Sequence, residues 1–294
     1  MIIRERPGLP QLLFAVRGSI LPLIAPALLV LVAASLVFVA VDHWVVKLPD
    51  VPATPFSVLG VAISLFLGFR NNAAYDRWWE ARKLWGALLV DLRALAREAD
   101  LFLPKPYTLR LVRLSLAFAH LHRCQLRKVP VDAAALAWID PASGITSSGQ
   151  ALDAMNAVLA EARRDGQLDG FGARTLSTRL GTMELNNAGG ERIAATPLPY
   201  VYSLLIFRTV YLYCLLIPLT LIGTEGWMTP VFVGLIGYVF LGLAEVTEDL
   251  AHPYGATLNA LPLNSICRVM EISLAPHLDM VPPKPLAPVD FYLS

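Results

Sequence analysis

The sequence predicts an all-α membrane protein with four transmembrane helices per subunit and a helical body outside the bilayer. Three observations lead there. Apolar residues make up 56% of the 294 while charged residues make up only 16%, against about 25% charged in soluble chains. Four apolar segments punctuate the chain, and the sequence between them has helical periodicity with no alternating strand pattern. Mean hydropathy is +0.56. The formal net charge of +1 leaves no basic excess to attract nucleic acid.

The first apolar segment, 20–41, has Ser35 as its only polar side chain. It is long enough to cross ~30 Å of hydrocarbon and longer than the apolar core of a cleaved signal. A retained helix is therefore expected behind Arg4, Arg6 and Arg17. Pro22 falls in its first turn, where a missing N–H costs least, and Pro26 adds a modest kink. The second segment, 56–69, is short but runs without a break into the polar sequence that follows. The third covers 200–222, after Pro197 and Pro199, and the fourth covers 231–244.

Orientation follows from Lys and Arg. The loop after the first segment holds only Lys47, and 223–229 holds none, whereas 70–198 holds 17 Lys and Arg against 13 Asp and Glu. Both termini and the middle section are thus expected inside the cell, with the protein multi-pass in the inner (plasma) membrane. The domains read as 1–18, a cytoplasmic N-terminal segment; 19–69, the first two membrane helices; 70–198, a cytoplasmic helical region; 199–245, the third and fourth membrane helices; and 246–294, a cytoplasmic C-terminal motif and tail.

Within the middle section, 78–102 has Leu84, Leu88, Leu92, Leu95 and Ala99 on one helical stripe. Further helices are expected over 109–127, 150–164 and 171–187, with a Gly- and Ser-bearing loop at 140–149. Pro276, Pro282, Pro283, Pro285 and Pro288 predict an extended, polyproline-like tail.

Chemistry-bearing residues point away from catalysis. Cys124, Cys214 and Cys267 lie far apart with no C-x-x-C spacing, so buried free thiols are expected rather than a disulfide framework or metal site. His120 and His122 are two apart, which on a helix directs them to different sides, away from a shared metal. There is no Gly-x-Ser-x-Gly or Walker-type glycine loop. No enzyme activity, metal or cofactor is expected. Arg208 lies inside the third segment, where an ionisable side chain is either functional or a partner for Glu245 or Glu248. Trp78, Trp79 and Trp85 are expected to anchor their helix at the membrane interface.

In the second segment Val61, Leu65 and Phe69 recur every four residues, on one helix face. Gly60, Ser64 and Gly68 run beside them, a small-residue seam that lets helix backbones approach closely in lipid. Spacing alone fits ordinary packing within a subunit, and it also fits stacked apolar rings around an axis, which gate ion flow by dewetting.

The next stretch decides between them. Arg70-Asn71-Asn72-Ala73-Ala74-Tyr75-Asp76-Arg77-Trp78-Trp79-Glu80, with Phe66-Leu67-Gly68-Phe69 before it, resembles the signature of the bestrophin family. Glu191-Arg192-Ile193 with Thr196-Pro197-Leu198-Pro199-Tyr200, and Pro253-Tyr254-Gly255 with Leu261-Pro262-Leu263, resemble two further family blocks in family order. The resemblance implies a homopentamer with one axial pore, a neck lined by Val61, Leu65 and Phe69, and a second constriction assigned here to 180–185. It implies passive conduction of small anions such as chloride. A cation-selective (sodium) channel of the same fold is the alternative, and a secondary transporter or membrane enzyme is less well supported. The expected partners are other copies of the chain, membrane lipid and the permeant ion. After Pro253-Tyr254-Gly255 the sequence reads Ala256-Thr257-Leu258-Asn259-Ala260, without the carboxylates a calcium site needs, so the calcium clasp of eukaryotic relatives is not expected and the match is to the bacterial branch.

Overall fold

The structure, a computed structural model, describes residues 1–2, 8, 18–49 and 51–294. Most of the expected N-terminal segment 1–18, including Arg4, Arg6 and Arg17, lies outside the described residues. Among those described, regular structure is helical, with isolated bridges at Ile2–Tyr292 and Val289–Tyr292. Two compact units divide the chain. One draws on residues up to Trp78 and on Pro197–His252, the other chiefly on Trp79–Thr196 and Pro253–Ser294.

In the first unit, α1 (Leu21–Trp44) carries Pro22 at its start and Pro26 inside. The long helix α2 (Ala53–Phe102) follows. The third apolar segment, expected as one helix over 200–222, is divided. α7 (Tyr200–Leu216) stops where Pro218 removes a backbone donor, and α8 (Pro218–Glu225) restarts with that proline in its first turn. A 3-10 turn (Gly226–Met228) leads into α9 (Thr229–Ala251), which is longer than expected at both ends. α9 packs on α1 and α7. Close approach to α1 depends on glycine: a Cβ at Gly237 would stand 3.0 Å from Leu28 Cδ2, and one at Gly234 would stand 3.2 Å from Val32 Cγ2. Ile24, Leu31, Ile63, Leu67, Val210, Tyr213 and Leu241 form the shared core. α1, α2 and the stretch Tyr200–Ala251 are each long and apolar enough to cross a bilayer.

The second apolar segment runs on without a break, as its sequence suggests, and continues through the 78–102 stripe as one helix of 50 residues. No proline interrupts it after Pro55, and Gly86 is its only glycine beyond Gly68.

The second unit is built around α3 (Lys105–Arg127), whose residues 115–124 are all buried. α3 packs on α5 (Ser148–Arg164), α6 (Gly170–Ala195) and α10 (Leu263–Leu274), with a one-turn α4 (Ala133–Leu136) beside it. Polar side chains start α4, α5 and α6, while α3 and α10 begin after Pro104 and Pro262. Ser147 and Gln150 form a capping box, and Asp169 accepts a 2.6 Å bond from Gly172 N.

Three sequence expectations change here. α6 continues past the predicted end at 187, through Gly189 and Gly190, because both glycines are packing sites. A Cβ at Gly189 would meet Leu84 Cδ2 at 2.9 Å, and one at Gly190 would meet His122 Nε2 at 2.8 Å. Trp85 is not an interfacial anchor. It is fully buried and stacked on His122, with ring centroids 5.4 Å apart. α10 went unforeseen. It is tied to α3 by His120 Nε2–Glu271 Oε1 at 2.8 Å and by Arg123 and Arg127, each donating to Asn264 Oδ1 at 3.0 Å. Pro276 sits in a 3-10 turn (Ala275–Leu278), and the remaining tail prolines lie in irregular chain.

His122 stacks on Trp85 and on the parallel ring of Phe118, 6.0 Å away, and neither ring nitrogen has a hydrogen-bond partner among the described residues. Burial pushes its pKa down from 6.5 to about 3, so the ring is neutral at physiological pH. Cys124, Cys214 and Cys267 are buried free thiols, as their spacing suggests.

Candidate functional site

The membrane portion of α2 has two opposed faces. Gly60, Ile63, Leu67, Arg70 and Ala74 are buried at steps of three and four residues, the signature of a helix face held against its own subunit. Val61, Leu65 and Phe69 are 71%, 56% and 61% exposed. At 100° per residue they centre about 180° from the buried seam. The three candidate neck residues thus project together, away from the core that anchors the helix.

The expected small-residue seam separates into three roles. Gly60 is buried against its own chain, where a Cβ would stand 2.7 Å from the Tyr213 hydroxyl. The Ser64 hydroxyl donates back to the Gly60 carbonyl at 2.9 Å, and the space around Gly68 is open. Only Gly68 therefore presents an unfilled small position.

The signature that follows braces α2 against the end of α9. Arg70, at 5% exposure, donates through Nη2 to Ser203 Oγ at 2.7 Å and to Glu248. Its guanidinium also lies 5.9 Å from the Phe207 ring centroid. Asn71 Oδ1 accepts from the Thr247 hydroxyl at 3.4 Å, and Arg77 Nε donates to the Ala251 carbonyl at 2.7 Å. Trp78 is half-buried and stacks on Tyr75, while Asn72, Asp76 and Trp79 are exposed. Charge pattern alone points to an acid of 245–249 as a partner for Arg70, whereas Ser203, Thr247 and the Ala251 carbonyl carry no charge to reveal them.

The other two motif blocks serve the chain path. Glu191 accepts from Asn187 Nδ2 at 3.3 Å, and Arg192 pairs with Glu80 at 2.5 Å. Pro199 is the N-cap of α7, and Pro197 is exposed two residues before it. The buried Pro253 carbonyl accepts from Leu261 N at 2.8 Å, and Gly255 is half-buried in the same turn. Of the two leucines bounding 180–185, Leu180 is buried and only Leu185 is exposed. Arg208 is exposed and makes no ion pair among the described residues; Glu248, one of its expected partners, is engaged by Arg70. No group of three or more His, Cys, Asp or Glu converges among the described residues.

Residues 1–276 match the family described as Bacterial/Fungal Bestrophin protein. A voltage-dependent anion channel-forming protein of Mesorhizobium japonicum is 45% identical, covering 100% of this chain and 97% of its own. A protein of the same description from Escherichia coli is 41% identical over 93% of each. A crystal structure of a bacterial bestrophin homologue from Klebsiella pneumoniae superimposes with a TM-score of 0.82 at 33% identity, covering 88% of this chain and 100% of the other. The chain belongs to the bacterial and fungal bestrophin family. It is a helical transmembrane protein of a channel family, not an enzyme.

Proposed function

We propose that the chain is the pore-forming subunit of an anion channel in the cell inner membrane, with chloride as the permeant ion. In this reading five copies surround one axis, each crossing the bilayer four times with both termini inside. α1, the start of α2, α7 with α8, and α9 supply the crossings. Residues 70–198 and 246–294 form the cytoplasmic body, and 1–18 its N-terminal segment. The anion assignment draws on the names of the relatives and on the net positive 70–198 region.

One observation carries the pore. Val61, Leu65 and Phe69 stand exposed in a row opposite the face of α2 that is buried in its own subunit. Apolar rings of this kind resist ion passage because an ion cannot cheaply shed or carry its water through them. Gly68, open on the same helix, leaves room for a neighbouring helix. The test is a Val61→Ala/Leu65→Ala/Phe69→Ala variant in planar bilayers. Higher single-channel conductance than wild type is expected, and unchanged conductance in a correctly assembled variant refutes the assignment.

A sodium-conducting channel of the same fold is the second reading. It is favoured by a neck with no charge and by residues 245–294, which hold six acids against Arg268 and Lys284. Reversal potential under a salt gradient distinguishes the two.

A further inference from the structure

The hairpin of α7, α8 and α9 carries two charged side chains within its apolar length that its own chain leaves unmatched. Arg208 is the only Asp, Glu, Lys or Arg between Arg192 and Glu225, and Glu245 is the first after Glu225. Glu248 is taken by Arg70, but neither Arg208 nor Glu245 has an ion pair or side-chain hydrogen bond among the described residues. Each belongs to an outward row. Arg208 is exposed in the middle of Val201, Leu205, Leu212 and Leu215, all exposed, at steps of four and three along α7. Glu245 is half-buried and lies seven residues, two turns, beyond Tyr238, which with Val231 and Leu235 forms an exposed row on α9. An unmatched charge on an apolar helix is costly in a bilayer, so charges found there are paired or line water.

The two charges lie at one level. Arg208 is 18 residues before Gly226 and Glu245 is 17 after Met228, the two ends of the turn that joins the limbs of the hairpin. At 1.5 Å per residue their heights agree to about 2 Å. Arg208 is also about 12 Å from the start of α7 and Glu245 about 9 Å from the end of α9, so both stand inside the apolar length. The limbs pack on one another, yet the two side chains form no ion pair within the chain. Copies related by rotation about the membrane normal keep every residue at its own depth, so Arg208 of one copy is level with the acid of the next. In such a ring each copy offers its α7 row to one neighbour and its α9 row to the other, and closure leaves neither charge unmatched.

We propose that Arg208 pairs across a subunit boundary with Glu245 of the partner subunit, so that α9 of a second copy of this chain covers the outward row of α7. The pair rests on the reading of the chain as a ring of copies around one axis, and it adds which helices meet and through which residues. Opposite charge at a common depth selects this occupant over lipid tails, which offer an arginine no acceptor.

The test reads subunit stoichiometry of the full-length chain in detergent by native mass spectrometry over a dilution series. Arg208→Glu and Glu245→Arg each place like charges face to face and should weaken assembly on the order of a hundredfold. The double variant Arg208→Glu/Glu245→Arg restores opposite charges and should regain most of that loss. Because a single reversal can also fail to fold, a second arm keeps the fold intact. Two chains of different size are co-expressed, one bearing Arg208→Cys and the other Glu245→Cys, and treated in membranes with a short bismaleimide. A cross-linked band uniting the two sizes is expected, and none when either chain is wild type. A ring that both single reversals leave intact overturns the pair alone, as does a double variant no better assembled than the singles. A cross-link that forms within one chain bearing both cysteines, and not between chains, assigns the pair to a single subunit and overturns it too. A monomeric wild type overturns the pair together with the ring on which it rests.

Discussion

Acidification should destabilise this protein through one residue, His122. The imidazole stacks on Trp85 and Phe118 with no hydrogen-bond partner among the described residues, and burial lowers its folded-state pKa to about 3, against 6.5 in the ordinary state. Since the folded value is the lower one, unfolded chains bind the proton first. Stability is whole above pH 6.5 and declines as pH falls toward 3. The full gap corresponds to about 5 kcal/mol at 1.36 kcal/mol per pH unit. Between pH 7 and pH 5 the loss is about 2 kcal/mol, or on the order of 4–8 °C in Tm for a unit of this size. His122→Leu replaces the ring by an apolar side chain of similar volume and removes an unsatisfied polar group, which is close to neutral at pH 7. The assay is thermal unfolding of detergent-solubilised protein at pH 7 and pH 5, for wild type and variant. The variant should retain several degrees that wild type loses. Equal pH dependence in the two refutes the assignment of a neutral, isolated ring.

Three further outcomes follow from packing and burial. Gly190→Ala should cost about 1–3 kcal/mol, because the new methyl meets His122 Nε2 at 2.8 Å and that ring is clamped by its neighbours. Gly189→Ala should cost less, since its obstacle is the flexible end of Leu84; thermal unfolding ranks the two. Thiol reagents at pH 8 should leave Cys124, Cys214 and Cys267 unmodified in the folded protein and modify all three after denaturation. Burial pushes the Cys267 thiol up to about 12, and the thiolate is the reactive species, so labelling of Cys267 in the native state would contradict its placement.

The sequence was most informative where one periodicity governs a long run. The apolar segments, the stripe at 84–99 and the buried thiols could all be read from it. Helix ends were harder, because they depend on what stands opposite. Gly189 and Gly190 look like breakers until Leu84 and His122 are seen to need their space. α10 was invisible because its ties to α3, through Glu271 and Asn264, bridge more than a hundred residues. Trp85 carries the same interfacial signal as Trp78 and Trp79, and only its tertiary surroundings bury it. At the candidate site the exposed stripe was legible. The brace was half legible, since an acid for Arg70 can be guessed from charge whereas hydroxyl and carbonyl acceptors leave no trace in a sequence.

The unbroken α2 has a consequence for what evolution or engineering can alter. Buried positions step by threes and fours from Gly60 through Ala74, then from Ala81 through Trp85, Leu88, Leu92 and Leu95 to Ala99, so a single phase is kept along the rod. One residue added between Ala81 and Trp85 would swing every later side chain by about 100° relative to Ala81 and take Trp85 and Leu92 off the buried face. A deletion would do the same in reverse. Point changes along this rod can be absorbed one at a time, while a change in its length cannot.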